Sequence, residues 1–429
     1  MTTSTTTATD IEDVERFAQR ARTWLAANMP PAPAGGSEAG GMGAPRSDDE
    51  ELARIARCRE LQRKLFDGGF AGICVPTEYG GQGLTMAHQE AFNRELEGYD
   101  YPAETQVPTF TPCMAVLLEF GSEELKRAHV PAILKGEELW MQFLSEPSGG
   151  SDAAGALTTA VRDGDEWVIN GSKIWTTGAW WADWGLCLAR TNWDVPKHRG
   201  LSVFVFKIHQ PGIEIHRIEM INGSKEFCQE FITDLRIPDS DRVGEVDQGW
   251  TVGVRWMYHE RTVSGGSPYV TRPMGRRISR GGDSDSLVRA ATKTGRIQDA
   301  RIRELIGEAH ALGLVGSALT AHVADQIRTG ATSDQAAAII RLYGGTSAVR
   351  NASIAFEVSA ENAVAWSDDE ADLGSAGMAY LMRQAACIGG GTTEMSRNVI
   401  SERVLGMPRE RSGDKDIPFR DVPRGPKAN

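Results

Sequence analysis

A chain of 429 residues, with 46 basic and 58 acidic side chains and a net charge of -12, exceeds what one hydrophobic core usually serves. Its acidity disfavours nucleic acid or an anionic membrane surface as the main partner. Six scattered cysteines (Cys58, Cys74, Cys113, Cys187, Cys228, Cys387) form no CxxC pair and no zinc spacing with histidine, so no metal is expected and free thiols fit best.

In chain order, "MTTSTTTATD" has neither a basic n-region nor an apolar h-region, and no apolar run approaches the roughly 18 residues of a bilayer span, which predicts a soluble, cytoplasmic protein without a membrane span. Residues 10–137 read as helical, broken by the Pro/Gly-rich loop "PPAPAGGSEAGGMG" (30–43). Ser47 and Glu50 have capping-box spacing, Leu52, Ile55, Leu61 and Leu65 make a helical stripe, and Gly68-Gly69 stops it. Residues 138–245 change texture: turn signals at Asp163-Gly164 and Asn170-Gly171, and β-branched runs "GLSVFVFKIH" and "GIEIHRIEMI", predict an antiparallel β-domain. Helical periodicity resumes over 246–408, and 409–429 reads as a charged, Pro-rich tail, an arm or disordered.

Three stretches carry candidate chemistry. Small residues Ser148, Gly149, Gly150 and Ser151 let backbone amides turn toward a ring edge or a phosphate, and a plain β-turn explains them as well. Trp175 and Thr177 lie two apart on a strand, hence on one face, where an indole wall and a hydroxyl could meet a planar ligand; a core tryptophan beside a surface threonine is the plain alternative. "GGGTTEMSRN" (389–398) places glycines before a helix start, with Glu394 either a base or a first-turn acid complementing the helix dipole.

The strings "LFDGGFAGICVPTEYGGQG" (65–83), "LSEPSGGSD" (144–152), "KIWTTG" (173–178), "GEVDQGW" (244–250), "ERTVSGG" (260–266) and "GGGTTEMSRNVISERVLG" (389–406), in this order, resemble the acyl-CoA dehydrogenase family. The resemblance implies an α+β fold: an N-terminal helical domain, a middle antiparallel β-domain and a C-terminal helical bundle. It implies FAD as cofactor, an acyl-CoA substrate and an electron-transfer flavoprotein as acceptor. Gln142, Leu144, Ser145 (where threonine is commoner), Gly150, Ser151, Trp175, Thr177, Gly391, Thr392, Thr393 and Glu394 would contact FAD. Ser151, Tyr258, Arg261 and Gly390 would contact substrate.

Many family members carry the catalytic glutamate in the C-terminal loop, at the position that is Gly390 here. In a smaller set, with isovaleryl- and long-chain-specific members, it precedes an arginine on an earlier helix, and Glu260-Arg261 matches that place. Removing a proton next to a thioester carbonyl needs a carboxylate whose pKa desolvation raises. Glu260 is therefore the expected base, and His259, adjacent on the helix, points elsewhere. The family's Arg-x-x-Phe-Gly and Gln-x-x-Gly-Gly segments are absent from 273–296 and 356–366, leaving Arg276, Arg277, Arg280 or Arg289 to meet the pyrophosphate. These departures resemble the branch acting on sterol side chains, often built as heterotetramers of two related chains; a homo-dimer or homo-tetramer is the other assembly. A partner subunit with an incomplete flavin site, or an oxidase or hydroxylase on this scaffold, are the alternative functions.

Overall fold

The structure, a computed structural model, describes residues 11–32, 46–262, 267–271, 284–365, 371–409 and 413–423. Residues 33–43 of the Pro/Gly loop, and Arg276, Arg277 and Arg280, lie outside the described residues. Helices α1 (Val14–Asn28), α2 (Asp48–Asp67), α3 (Met86–Glu95), α4 (Ala103–Pro108), α5 (Ala115–Phe120) and α6 (Glu123–Leu134) form the N-terminal layer. The α2 capping box is made: Ser47 Oγ accepts from the Glu50 N–H at 3.3 Å, and Glu50 Oε2 accepts from the Ser47 N–H at 2.9 Å. Ile55, Cys58, Leu61, Gln62 and Leu65 are the buried face, whereas Leu52 is exposed. At 100° per residue Leu52 falls about 120° from the middle of that face, so the predicted stripe was too wide by one residue. Between α4 and α5 the chain widens into a π-helical turn, Thr109–Met114, where Pro112 has no N–H to donate to an ordinary helical bond. Thr109 Oγ1 accepts from the Trp140 N–H at 3.1 Å and so ties this turn to the first strand.

Eight strands follow among the described residues: β1 (Trp140–Phe143), β2 (Thr159–Asp163), β3 (Glu166–Thr177), β4 (Trp184–Arg190), β5 (Leu201–Lys207), β6 (Ile213–Ile218), β7 (Phe227–Pro238) and β8 (Arg242–Val243). Their order is β6-β7-β3-β2-β4-β5-β8, with β1 beside β4. The sheet is not purely antiparallel as expected. β1 runs parallel to β4, and β2 meets β4 in parallel at Thr159 and Arg190. β1 is reached from α6 rather than through a hairpin, so nothing forces it to oppose its neighbour.

Asp163-Gly164 does open the β2–β3 hairpin, with Gly164 at φ 65°. Asn170-Gly171, expected as a turn, lies inside β3, where the register with β7 shifts between Ile169 and Gly171. A Cβ at Gly171 would stand 2.5 Å from Thr158 Oγ1, so the glycine serves a close backbone approach instead of a reversal.

The C-terminal layer comprises α7 (Gly249–Thr262), α8 (Ser284–Lys293), α9 (Ala300–Arg328), α10 (Ala337–Ser359), α11 (Ala371–Met382) and α12 (Thr393–Val399). One buried cluster joins the N-terminal helices to the sheet and α7 through Trp140, Leu186, Val203, Val252 and Trp256. Apolar side chains remain exposed on the C-terminal layer, among them Leu314, Val315, Leu381, Ile388 and Leu405.

Part of the tail, expected as an arm or disordered, is docked. Phe419 N–H donates to the Val195 carbonyl at 2.9 Å and Arg420 N–H to that of Trp193 at 3.0 Å. The Phe419 ring stacks on Trp193 and lies 3.7 Å from the buried Arg190 guanidinium, and Asp414 pairs with Lys197 at 2.9 Å. A reading by charge and proline content does not register one buried ring. Truncating a buried Phe to Ala costs about 3 kcal/mol or more in a core. Phe419→Ala is therefore expected to release the 413–423 segment, read as faster proteolysis and amide exchange there; unchanged protection would show that the ring does not hold it.

Candidate active site

Four elements converge near Glu260. The residue sits late in α7, four positions after Trp256, so the two share a helix face. The Trp256 indole N–H donates to Gln142 Oε1 on β1 at 2.6 Å. Gln142 in turn hydrogen-bonds the Glu260 carboxyl. Burial pushes Glu260 above the ordinary carboxylate range, opposed by the charge of Arg261, the Gln142 bond and the charge of Arg341. From the π-helical turn, Cys113 is buried close enough for Glu260 to help hold its thiol protonated, after burial itself.

The glycine loop completes this neighbourhood. Gly390 and Gly391 have φ of 71° and 100°, conformations that favour glycine. A Cβ at Gly391 would be 3.5 Å from Arg261 Nη2, and one at Gly390 would be 3.8 Å from Arg341 Nε. Thr392 caps α12 by accepting from the Met395 N–H at 3.1 Å, and Thr393 is buried. Glu394 is exposed, bonded to the Thr393 hydroxyl and paired with Arg397 at 3.5 Å, the position of a first-turn acid.

On the other side of α7, His259 Nε2 meets Glu119 Oε1 at 2.8 Å, and Arg255 Nη2 meets the same oxygen at 2.7 Å. Burial lowers the His259 pKa despite the pull of Glu119. Tyr258 carries the Arg255 guanidinium 4.4 Å from its ring centre.

The β-domain supplies a second cluster. Ser145 carbonyl accepts from the Ile174 N–H at 3.0 Å, which sets the 144–152 loop beside β3. Within that loop a Cβ at Gly150 would meet Ser145 Oγ at 3.3 Å, whereas one at Gly149 would meet nothing within 4 Å. Gly149, Gly150 and Ser151 are exposed. Trp175 and Thr177 both face outward with Thr176 buried between them. Trp175 is 50% exposed at φ 67°, next to the register shift between Ile174 and Thr176. A bulky residue held there is strained, and the bulge turns its ring outward. Trp180 and Trp181 instead share Glu51 Oε1, at 3.3 and 3.0 Å, and Trp184 stacks on Trp140.

Beneath the loop lies a network that motif reading missed. Lys173 Nζ donates to Glu146 Oε1 at 2.8 Å, the Leu188 carbonyl at 2.7 Å and the Leu144 carbonyl at 3.3 Å. Glu146 also accepts from the N–H groups of Leu157 at 2.6 Å and Thr158 at 3.0 Å. Burial works to raise its pKa, but Lys173 and these donors outweigh it, and the carboxyl titrates below the usual range.

Lys173 thereby uses all three donors, and its cross-strand neighbour Glu230 receives none. Glu230 is fully buried, accepts from the Thr176 hydroxyl at 2.9 Å, and is pushed by burial to about 8. Between the unfolded value near 4.5 and about 8 the folded protein holds a proton that the unfolded chain has lost, so stability falls as pH rises through that window. Glu230→Gln is expected to flatten this slope and to raise the denaturation midpoint at pH 8; an unchanged slope would refute it.

The other expected residues are more dispersed. Arg289, on α8, is exposed. Among the described residues no cluster of metal-ligating side chains occurs, and no helix is long and apolar enough to cross a membrane.

Helices thus precede and follow one sheet along the chain, and the Glu260 carboxyl on α7 feels the charge of Arg341, which holds the glycine loop. Three family models match in order: the acyl-CoA dehydrogenase N-terminal domain over residues 12–137, the middle domain over 142–233 and the C-terminal domain over 247–405. The chain belongs to the acyl-CoA dehydrogenase family. It is similar to acyl-CoA dehydrogenase IpdE1 of Mycobacterium tuberculosis, 33% identical over 94% of this chain and 100% of that one. Its fold is similar to the Tcur3481-Tcur3483 steroid ACAD G363A variant, at TM-score 0.72 and 24% identity over 92% and 99% of the two chains. It is also similar to the ChsE4-ChsE5 complex from Mycobacterium tuberculosis, at TM-score 0.67 and 23% identity over 96% and 100%.

Proposed function

We propose that this protein binds FAD and dehydrogenates a bulky acyl-CoA to a trans-2-enoyl-CoA, with Glu260 taking the α-proton. The observation that carries this reading is Glu260 itself: a carboxyl raised by burial, oriented through Gln142 and Trp256, in the neighbourhood of the loop that has glycine where many relatives have their base.

The residues present fit the flavin. Trp175 offers an exposed, outward-held indole face beside the exposed Thr177, and the open backbone at Gly149 and Gly150 suits a polar ring edge. Gln142, Leu144, Ser145, Gly150, Ser151, Trp175, Thr177, Gly391, Thr392, Thr393 and Glu394 would hold it. FAD, when bound, supplies the acceptor for the β-hydrogen as hydride. The Gly390 N–H would polarise the thioester oxygen as enolate charge develops, and Arg261, Tyr258 and Ser151 would position the CoA ester. Electrons would pass to an electron-transfer flavoprotein in the cytoplasm.

One structural neighbour is a steroid ACAD, which supports a steroid-derived acyl group. The paired chains named for both neighbours, with apolar side chains exposed on the C-terminal layer, support assembly with a related chain. The test is a flavin absorption spectrum of the purified protein, alone and mixed with a candidate partner chain, followed by anaerobic bleaching with straight-chain, branched and steroid acyl-CoA esters. Bleaching strongest with the steroid ester is expected. A flavin-loaded protein bleached by none of them would overturn the reading.

A further inference from the structure

We propose that Arg341 is a positioning residue, which anchors the Gly389–Gly391 loop beside Glu260 and so sets the thioester carbonyl against the base; this rests on the base and loop roles proposed above. Three successive glycines have no side chains with which to pack, and their backbone freedom works against holding one conformation. Arg341, on α10, supplies the missing hold: its Nη2 donates to the Gly389 carbonyl at 2.7 Å, and its Nε lies 3.8 Å from where a Gly390 Cβ would be.

A nearby glycine makes room for this guanidinium. A Cβ at Gly345, one helical turn along α10, would stand 2.7 Å from Arg341 Nη1 and 2.9 Å from the Ala386 carbonyl. The planar fork suits a carbonyl held at a fixed angle, as a lysine ammonium does not. The same cation lies close enough to Glu260 to favour its ionised form. Among the described residues, the other groups acting on that carboxyl are Arg261 on α7 and Gln142 on β1, and Cys113 on the π-helical turn feels its charge.

The experiment compares Arg341→Gln, Arg341→Lys and Gly345→Ala with the wild type, each as FAD-loaded enzyme with any required partner chain. It reads the rate of flavin bleaching by a saturating acyl-CoA, the concentration for half-maximal rate, the pH profile, and amide exchange of peptides spanning 388–392. Arg341→Gln is expected to lower the saturated rate about 10- to 100-fold, as small misplacements near reacting atoms do, with half-saturation little changed. Its acid limb should move to higher pH, because a cation beside Glu260 is lost, and loop exchange should rise. Arg341→Lys should keep the acid limb of the wild type while recovering only part of the rate. Gly345→Ala displaces the guanidinium without removing its charge, so it should lower the rate and loosen the loop, with the acid limb moved less than in Arg341→Gln; it also serves if Arg341→Gln does not fold. Unchanged loop exchange with an unchanged rate in Arg341→Gln, or in Gly345→Ala where Arg341→Gln does not fold, would overturn the anchoring role. A wild type that no acyl-CoA bleaches, with loop exchange still raised in the variants, would remove the proposed reaction while leaving the anchor in place.

Discussion

Glu260→Gln is expected to cut flavin reduction by acyl-CoA between about 10²- and 10⁴-fold, the range that a positioned base supplies. The amide is nearly isosteric and can still meet Gln142, so the loss should fall on the rate and leave acyl-CoA binding nearly intact. Two further readouts separate a base from a structural acid. In the wild type, activity should rise with pH through a limb lying above the ordinary glutamate range, because burial holds the proton on Glu260. The variant should lack that limb.

Stability should move the other way. A carboxyl whose folded pKa exceeds its unfolded value takes stability away as pH rises from the unfolded value through the folded one. Removing the charge at Glu260 should therefore leave the melting temperature at neutral pH unchanged or higher. Near-wild-type bleaching by the variant would end the assignment, and the search for a base would pass outside α7. Loss of activity together with loss of FAD and a lower melting temperature would mark Glu260 as structural.

Which parts of this picture could be read from sequence depends on how local the physics is. The α2 capping box and the Asp163-Gly164 hairpin need only neighbours along the chain, and both are present. Asn170-Gly171 has the same local signature as a hairpin, yet β7 pairs along the whole of β3, and the register shift absorbs the glycine. Phe419 in a polar tail becomes an anchor only because Arg190 and Trp193 happen to lie under it. In the candidate site, the glycine loop is visible from its own residues and Glu260 through a resemblance, and Trp256 follows from its four-residue spacing to Glu260. Arg341 had no such signal, since the contact that ties it to the loop is to a backbone carbonyl on another element. Lys173 was hidden by its own strand: one residue of β3 in the buried row looks like a packing position until its partner is known.

That lysine carries the largest expected stability change. Lys173→Met keeps the length and the apolar stem but removes the charge, leaving Glu146 buried with only the Leu157 and Thr158 amides. Breaking one side of a buried pair costs about 3–5 kcal/mol, because the remaining charge stays desolvated. Denaturant unfolding of the variant at pH 7 should show a loss of that order. The loss should also depend on pH in a stated direction. Wild-type Glu146 titrates below the usual range, so its contribution is complete above the unfolded value near 4.5 and disappears as pH falls through the folded one. In Lys173→Met the Glu146 pKa rises, and acid relieves the buried charge by protonating it. The gap between wild type and variant should therefore narrow as pH drops toward 5. The double change Lys173→Met with Glu146→Gln should be less destabilised than the two single changes added together, which isolates the pair from the packing around it. The 144–152 loop hangs on this pair through the Leu144 carbonyl, so FAD retention is expected to fall in Lys173→Met and to recover in part in the double variant. A Lys173→Met protein within about 1 kcal/mol of wild type at pH 7 would mean that the pair contributes no more than an exposed one, and the loop would then owe its position to the Ser145 and Ile174 backbone bond.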